Sequence, residues 1–319
     1  MAGRLITVFG GSGFIGRHLV RRLARQGDRV RVAVRHPDSA LFLKTMGDVG
    51  QVTPVQANLR DDRSVAAAVG GADVVVNLVG ILYSRGKQSF EAVHREGALR
   101  VAAAARKAGA RRFVQMSALG ASSRSAAEYA RTKAMGEEAV KSAFPGATII
   151  RPSVVFGPED GFFNRFAGIA ALSPVLPVFG RPPAGPCFQP VYVGDVAEAI
   201  VKAIDDPAAQ GKTFELGGPG RFTMAEIMDL VQQWTGRKRI VAWVPAGLVN
   251  LKATLLELLP VPPLTRDQLR LLDTDNVASG ALPGLEALGI QATPVEAVVP
   301  GYLDRFRPGG GKRQPLRTA

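Results

Sequence analysis

Short runs of β-branched and apolar residues alternate with longer segments of helical periodicity through the first half of the chain. The runs predict strands at Leu5–Phe9, Val30–Val34, Val52–Gln56, Val74–Leu78, Phe113–Met116 and Thr148–Ile150. The segments between them predict helices at Ile15–Gln26, Val65–Val69, Glu91–Ala108 and Glu128–Phe144. Because strand–helix–strand crossovers are right-handed and cover both faces of a sheet, this order predicts an α/β fold with a doubly wound parallel sheet.

The pattern changes after Arg151. Pro- and Gly-rich stretches at 173–177 and 180–186 predict loops outside the regular core. A strand and a helix return at Val191–Ile204, and Thr223 with Glu226 forms a capping box that predicts a helix at Met224–Thr235. We therefore expect a nucleotide-binding domain of the Rossmann type at 1–150 and a smaller, partly interleaved C-terminal α/β domain at 151–306, some of whose segments return to the first sheet. Residues 307–319 are expected to be a disordered basic tail.

One apolar segment leaves two interpretations open. Leu248–Leu259 contains Lys252 and Glu257 as its only charged residues. It predicts either a core helix or a helix that docks on a partner or a membrane interface.

Composition favours a soluble protein from a reducing compartment. Hydrophobic residues make up 46% of the 319 residues, but no run approaches the roughly 18 apolar residues of a membrane-spanning helix. Leu5–Phe9 runs directly into a glycine-rich loop, so no cleavable signal sequence is predicted. The single cysteine, Cys187, is expected to be a small half-buried residue in a proline-rich loop.

The net charge of +13, from 40 Lys and Arg against 27 Asp and Glu, limits the classes of binding partner that are expected. A basic surface can bind nucleic acid, an anionic membrane or an acidic partner. Nucleic acid is not expected, because no aromatic and basic recognition pattern accompanies the charge. His18, His36 and His94 are scattered and have no carboxylate cluster, so no metal site is predicted and these residues are assigned to the surface or to helix packing.

Gly10, Gly13 and Gly16 stand between a predicted strand and a predicted helix. In this context the first glycine permits a tight turn, the second lets the backbone approach a pyrophosphate, and the third allows close packing of the helix on the sheet. The amides at the start of the helix then face the phosphates. The loop therefore predicts a dinucleotide site.

The residues after the second and third strands indicate which dinucleotide is bound. An acidic residue after the second strand would accept hydrogen bonds from the adenosine ribose, but this chain has Arg35 there, with Arg17 beyond the glycine loop. Arginine suits a 2′-phosphate, so NADPH is favoured over NADH. Asn58 and Leu59 follow the third strand, where the side-chain amide could recognise the adenine edge.

Tyr129 and Lys133 lie four residues apart on one helical face, and Ser117 ends the preceding strand. In such an arrangement Lys133 can lower the tyrosine pKa and bind the nicotinamide ribose, Tyr129 can exchange a proton with a substrate oxygen, and Ser117 can hold that oxygen. These three residues are the candidate catalytic group, and they could equally serve only to bind the cofactor.

With these motifs the chain resembles the extended short-chain dehydrogenase/reductase superfamily, through 10–16, 77–80, Ser117, Tyr129 with Lys133, and Arg151-Pro152. It is most similar to one atypical branch, the nucleotide-binding accessory subunits of respiratory complex I and their bacterial relatives. Stretches specific to that branch include "EYARTKAMGEEAV" from Glu128, "RPSVVFGPEDGFFNRF" from Arg151 and "LPGLEALGIQATPVE" from Leu282.

The resemblance implies a tightly held NADPH that is not turned over, complex I subunits as partners, and a cytoplasmic location at the inner face of a bacterial plasma membrane. The membrane surface could be contacted through basic patches and Leu248–Leu259. It implies cofactor contacts at Gly10, Gly13, Phe14, Ile15, Gly16, Arg17, Arg35, Asn58, Leu59, Leu78, Val79, Gly80, Ser117, Tyr129, Lys133, Pro152 and Val154.

Two functional hypotheses therefore remain from the sequence. The first is a peripheral accessory or assembly subunit of complex I with a mainly structural nucleotide. The second is a free NADP-dependent reductase, epimerase or dehydratase that acts on a sugar nucleotide or another carbonyl or hydroxyl compound through Ser117, Tyr129 and Lys133.

Overall fold

A computed structural model describes residues 3–178, 185–243, 257, 262 and 265–309. Its strands are, in chain order, β1 (Leu5–Phe9), β2 (Arg29–Val34), β3 (Val52–Gln56), β4 (Val74–Asn77), β5 (Arg112–Met116), β6 (Thr148–Pro152), β7 (Val155–Phe156), β8 (Val175–Val178), β9 (Cys187–Phe188), β10 (Val191–Tyr192), β11 (Thr213–Leu216), β12 (Phe222–Thr223) and β13 (Ile240–Trp243).

The α-helices are α1 (Phe14–Arg25), α2 (Asp62–Val69), α3 (Ala98–Lys107), α4 (Glu128–Ala143), α5 (Phe163–Leu172), α6 (Val193–Asp205), α7 (Met224–Thr235), α8 (Arg266–Leu271) and α9 (Val295–Leu303). A π-helix at Glu91–Gly97 runs into α3, and a 3₁₀ segment follows β2 at Pro37–Met46. Among the described residues, no helix is both long and apolar enough to cross a bilayer.

The central element is a seven-stranded parallel sheet in the order β11-β6-β5-β4-β1-β2-β3. The chain starts at β1, proceeds outward through β2 and β3, then returns to β4 on the other side of β1. That reversal opens a crevice at the carboxyl end of β1, where open α/β sheets bind their ligands. The predicted doubly wound parallel fold is confirmed.

Two compact units make up the chain. The first contains Met1–Ser153, Val193–Gly217 and Ala278–Ala292, and thus the whole seven-stranded sheet. The second contains Val154–Tyr192, Gly218–Val277 and Thr293–Ala319. The first unit includes β11, a strand that was not predicted, paired with β6 at the sheet edge.

The second unit has an aromatic core between α5, α7 and α9. Phe156, Phe163 and Met224 are fully buried there, and Trp234 lies against Phe163 with ring centroids 6.0 Å apart. The capping box predicted at Thr223 is present, with the Thr223 hydroxyl accepting from the Glu226 N–H at 3.2 Å. This small unit is therefore held mainly by apolar burial around large rings.

The prediction of a loop at 173–177 was wrong, and it rested on the prolines there. The stretch was expected to be a loop outside the regular core, but Val175–Val178 forms β8, paired in parallel with β13, and Leu176 and Val178 are fully buried. A pair of strands consists of two edges, and an edge position tolerates a residue that lacks an N–H, such as Pro177. Cys187 lies in β9 and is half-buried.

Some predictions fall on residues that the structure does not describe. Of the apolar stretch 248–259 only residue 257 is described, and the loop residues 180–184 and the tail from 310 onward also lie outside the described part of the chain. Arg307, at the start of the predicted tail, donates from Nε to the Trp234 carbonyl at 3.0 Å.

Candidate functional site

The glycine loop has the geometry of a phosphate cradle. Gly10 has φ +76°, and the Gly13 N–H donates to its carbonyl at 3.0 Å to close a tight turn before α1. A Cβ on Gly16 would lie 2.4 Å from the Gly10 carbonyl oxygen, so only glycine lets the helix approach. Gly11 is a further required glycine, because its Cβ would lie 2.7 Å from Val32 Cγ1. The exposed Gly13 leaves the backbone open to a ligand, which fits a pyrophosphate.

The predicted residues around this loop are only partly enclosed. Phe14 and Ile15, in the first turn of α1, are half-buried. The guanidinium of Arg17 lies 5.6 Å from the centroid of the Phe42 ring. These three side chains border the loop from the helix side.

After β2, the exposed Arg35 donates to the Gln88 side-chain oxygen at 2.6 Å. After β3, Asn58 forms a turn in which its side-chain oxygen accepts from the Arg60 N–H at 3.1 Å. The Asn58 side chain is therefore already engaged in local structure, while Leu59 packs against the core of the first unit. Gln88 is a neighbour of Arg35 that the sequence did not identify, since it lies 53 positions away.

The segment after β4 lies on the opposite side of the crevice. Leu78 continues the sheet, its N–H donating to Phe9 O at 3.0 Å, and the Val79 N–H donates to Asn77 Oδ1 at 3.2 Å. Gly80 is exposed, and a Cβ there would lie 3.2 Å from the Lys133 Nζ. The structure thus brings the predicted residues after β4 together with the predicted lysine on α4.

Tyr129 and Lys133 are adjacent, as the sequence predicts. Lys133 is buried, with its Nζ 5.8 Å from the Tyr129 ring centroid and 3.2 Å from Met116 O, to which it donates. Burial lowers the pKa of Lys133 to about 8, and Glu137 opposes this shift. Burial raises the pKa of Tyr129 to about 12. At neutral pH the Tyr129 phenol is therefore protonated.

His94 is buried and forms hydrogen bonds to the segment after β4 and to α4. Its Nε2 accepts from the Ile81 N–H at 3.1 Å, so its Nδ1 carries the proton and donates to Thr132 Oγ1 at 3.0 Å. Burial, together with the charge of Lys133, lowers the pKa of His94 to about 2. The neutral ring packs edge-on against Tyr129, with centroids 5.3 Å apart, in agreement with the predicted helix-packing role.

Ser117 is hydrogen-bonded into the protein interior. Its hydroxyl donates to the buried Glu137 carboxylate, which also accepts from Arg151 Nε at 2.8 Å and from a second Arg151 nitrogen at 2.7 Å. Glu215 lies 3.7 Å from the third nitrogen of Arg151. This network was not predicted, because its acidic and basic residues come from three separate elements, α4, β6 and β11.

The two remaining predicted residues are Pro152 and Val154. Pro152 is buried at the end of β6 in the first unit, whereas Val154 opens the second unit and accepts from the Val191 N–H at 2.9 Å. Among the described residues no group of three or more His, Cys, Asp or Glu side chains is placed to bind a metal ion.

Comparison with known proteins gives a family match. Residues 6–217 match the family model described as the NAD dependent epimerase/dehydratase family. The chain is 37% identical over 322 residues to the "NADH dehydrogenase [ubiquinone] 1 alpha subcomplex subunit 9, mitochondrial" of Arabidopsis thaliana, with 97% of this chain and 80% of that protein covered. It is 38% identical to the protein of the same name from Mus musculus, with 96% and 81% covered.

A bacterial enzyme is also similar to this chain. The ceramide reductase of Caulobacter vibrioides is 38% identical over 252 residues, which cover 78% of this chain and 76% of that enzyme. Among solved structures, the UDP-glucose 4-epimerase of Thermus thermophilus in complex with NAD has a TM-score of 0.69 at 21% identity, with 95% and 98% of the two chains covered. At that identity the likeness supports the fold alone.

Proposed function

The chain belongs to the NAD dependent epimerase/dehydratase family, in the branch of the mitochondrial alpha subcomplex subunits, and we propose that it is a peripheral accessory or assembly subunit of a respiratory NADH:quinone oxidoreductase, complex I. The proposal places it on the cytoplasmic side of a bacterial plasma membrane. Its partners are other complex I subunits, and it contacts the membrane through basic patches and the stretch 248–259.

The extent of the similarity carries this proposal. The family model ends at residue 217, but similarity to the mitochondrial subunits covers 97% of the chain. A shared nucleotide site explains similarity within the first unit. It does not explain similarity through the second, in which Val154 alone is a predicted cofactor contact.

We further propose that the chain holds NADPH as a mainly structural nucleotide. The loop from Gly10 to Gly16 fits the pyrophosphate, and Arg35 suits a 2′-phosphate. Lys133 and Tyr129 would contact the nicotinamide ribose. The bound nucleotide would supply a hydride. Retention is supported by the buried hydrogen bond from the Ser117 hydroxyl to Glu137, which engages the group that would otherwise hold a substrate oxygen.

The first experiment identifies the nucleotide and its fate. The protein is purified without added cofactor, denatured, and the released nucleotide is identified. We expect one equivalent of NADPH that the native protein does not oxidise when offered carbonyl or sugar-nucleotide compounds, and Tyr129→Phe should leave this absence of oxidation unchanged. Loosely held nucleotide that turns over would overturn the structural role.

The second experiment tests the partner. The tagged chain is expressed in its own host, membranes are solubilised in mild detergent, and the captured proteins are identified. Recovery of complex I subunits is expected. The control is a different member of the epimerase/dehydratase family that carries the same tag and should recover none of them. Capture of none would refute the proposed role as a complex I subunit while leaving nucleotide binding intact.

The similarity to a ceramide reductase favours a second candidate function, a free NADP-dependent reductase. In that case Tyr129 would donate a proton to the carbonyl oxygen of a lipid or another carbonyl or sugar-nucleotide substrate. Its signature is substrate-dependent NADPH oxidation that falls at least about a hundredfold in Tyr129→Phe.

A further inference from the structure

The segment that leaves β4 forms a tight turn before the π-helix. Arg85 and Gln88 exchange both backbone hydrogen bonds, at 2.9 and 3.0 Å, so that only Gly86 and Lys87 lie between them. Gly86 has φ +55°, a conformation that favours glycine. The Ser84 hydroxyl accepts from the Phe90 N–H at 3.0 Å and joins the base of the turn to the following helix. The turn Arg85–Gln88 is called the clasp below.

Two arginines that follow β2 and β3, in the half of the sheet beyond β1, donate hydrogen bonds to the clasp. Arg35 donates to the Gln88 side-chain oxygen at 2.6 Å, and Arg60 donates to the Lys87 carbonyl at 3.1 Å. Both acceptors are neutral. An arginine in such a bond keeps its full charge available, and it binds phosphate more strongly than it binds an amide or a carbonyl.

Strand order places these contacts across the nucleotide crevice. Arg35 directly follows β2 and Arg60 follows β3, whereas the clasp is attached to β4. Since β1 lies between β4 and β2, the segment that leaves β4 passes the carboxyl end of β1, where the glycine loop begins, before Gln88 accepts from Arg35. A dinucleotide on the glycine loop would extend along this same edge.

The clasp also adds positive charge at this edge. Arg85 and Lys87 are exposed within it, and Arg35 and Arg60 are exposed beside it. The adenosine half of a phosphorylated dinucleotide is the anionic ligand that such a group of cations attracts.

We propose that the clasp closes the nucleotide site and limits the rate at which the phosphorylated dinucleotide leaves, with Gln88 and Arg60 as the residues that keep it closed. This inference rests on the proposed nucleotide-holding function. It gives a structural reason for retention, because release requires both hydrogen bonds to the clasp to break.

The test is the release rate of NADPH. Native protein loaded with NADPH is mixed with an excess of an NADPH-consuming enzyme, and the loss of bound-nucleotide fluorescence is followed. We expect Gln88→Ala and Arg60→Ala each to release NADPH about tenfold faster, since each loses one hydrogen bond to a charged donor. Arg63→Ala is the matched control, because it removes an equal charge from the neighbouring α2 and should release NADPH at the native rate.

A second readout separates a moving clasp from a general loss of stability. Trypsin cleaves after Arg85 and Lys87, so cleavage at these sites should be slowed by NADPH in the native protein and much less in Gln88→Ala. The melting temperature of the nucleotide-free variants should match that of native protein.

The outcomes distinguish the two proposals. If the native protein retains NADPH but both clasp variants release it no faster than Arg63→Ala, the clasp is refuted and the nucleotide-holding function stands. If the native protein retains no dinucleotide, both are refuted. If Gln88→Ala releases NADPH faster and its melting temperature also falls, the faster release reflects a general loss of stability. Gln88 then has a purely structural role and the clasp is refuted.

Discussion

The two ends of the candidate nucleotide site are built in opposite ways. At the end after β2 and β3, Arg35 and Arg60 are exposed and bond neutral acceptors. At the end after β5, Ser117, Lys133 and Glu137 are buried and bond one another or the backbone. Exposed hydrogen bonds contribute little to stability but can rearrange, whereas a buried charged network is costly to disturb.

This difference indicates separate tasks. The exposed end can bind a phosphate through the guanidinium donors that its hydrogen bonds to the clasp leave available. The buried end has a fixed geometry that fits retention of a nicotinamide better than repeated proton transfer, because Ser117 already donates its hydrogen bond to a carboxylate. The comparison predicts that substitutions at the buried end change stability and that those at the exposed end change nucleotide binding.

The largest effect is expected from Glu137→Leu. This change leaves the Arg151 guanidinium without the carboxylate that accepts two of its hydrogen bonds, and removes the acceptor of Ser117. Breaking a buried pair in this way costs about 3 to 5 kcal/mol. We expect a loss of about 3 kcal/mol in the free energy of unfolding, measured by urea denaturation, because Arg151 is partly exposed and its other neighbour Glu215 remains.

Glu138→Leu is the matched control, since Glu138 is the exposed neighbour on the same helix. A change below about 0.5 kcal/mol is expected there. Equal losses in the two variants would contradict the distinction between the buried and exposed ends.

Lys133→Met tests the buried end of the site through the pH dependence of the free energy of unfolding. Burial lowers the pKa of Lys133 from 10.5 to about 8, which corresponds to a destabilisation of about 3 kcal/mol wherever the lysine is charged in both states. Between pH 8 and 10 the unfolded chain binds more protons than the folded one, so native stability rises with pH. Above pH 10 the raised pKa of Tyr129 reverses this trend, because the unfolded phenol ionises first.

The nucleotide-free Lys133→Met variant should therefore be about 2 kcal/mol more stable than native protein at pH 7, after allowance for the lost bond to Met116, and the difference should shrink by pH 10. Lys141→Met, an exposed position on the same helix, should follow the native pH curve. A constant offset between native protein and Lys133→Met would refute the assignment of the pH dependence to Lys133.

The fold and the loop of the site could be predicted because their signals are local. Gly10, Gly13 and Gly16 are close in sequence, and each parallel strand is a short apolar run. Tyr129 and Lys133 share one helical face, so their proximity also follows from spacing. These features need no knowledge of how distant segments pack.

The remaining features depend on contacts between distant segments. The sequence around Glu137 predicts only a helix residue. Its ion pair with Arg151 depends on the packing of β6 against α4. Gln88 gains its partner Arg35 only through the strand order, which turns a loop after β4 toward β2. The strand β8 was missed because proline at an edge carries the same local signal as proline in a loop.

The smallest effect on stability, and the sharpest on binding, is expected from Arg35→Ala. Arg35 is exposed and bonds one neutral side chain, so its loss should change the free energy of unfolding by less than about 0.5 kcal/mol. If it binds the 2′-phosphate, the variant should lose about tenfold in affinity for NADPH and little for NADH. Isothermal titration with both nucleotides measures this preference, with Arg21→Ala, an exposed arginine of α1, as the control. A parallel loss of affinity for both would place Arg35 at a part of the nucleotide that NADH and NADPH share, and the preference for NADPH would then need another source.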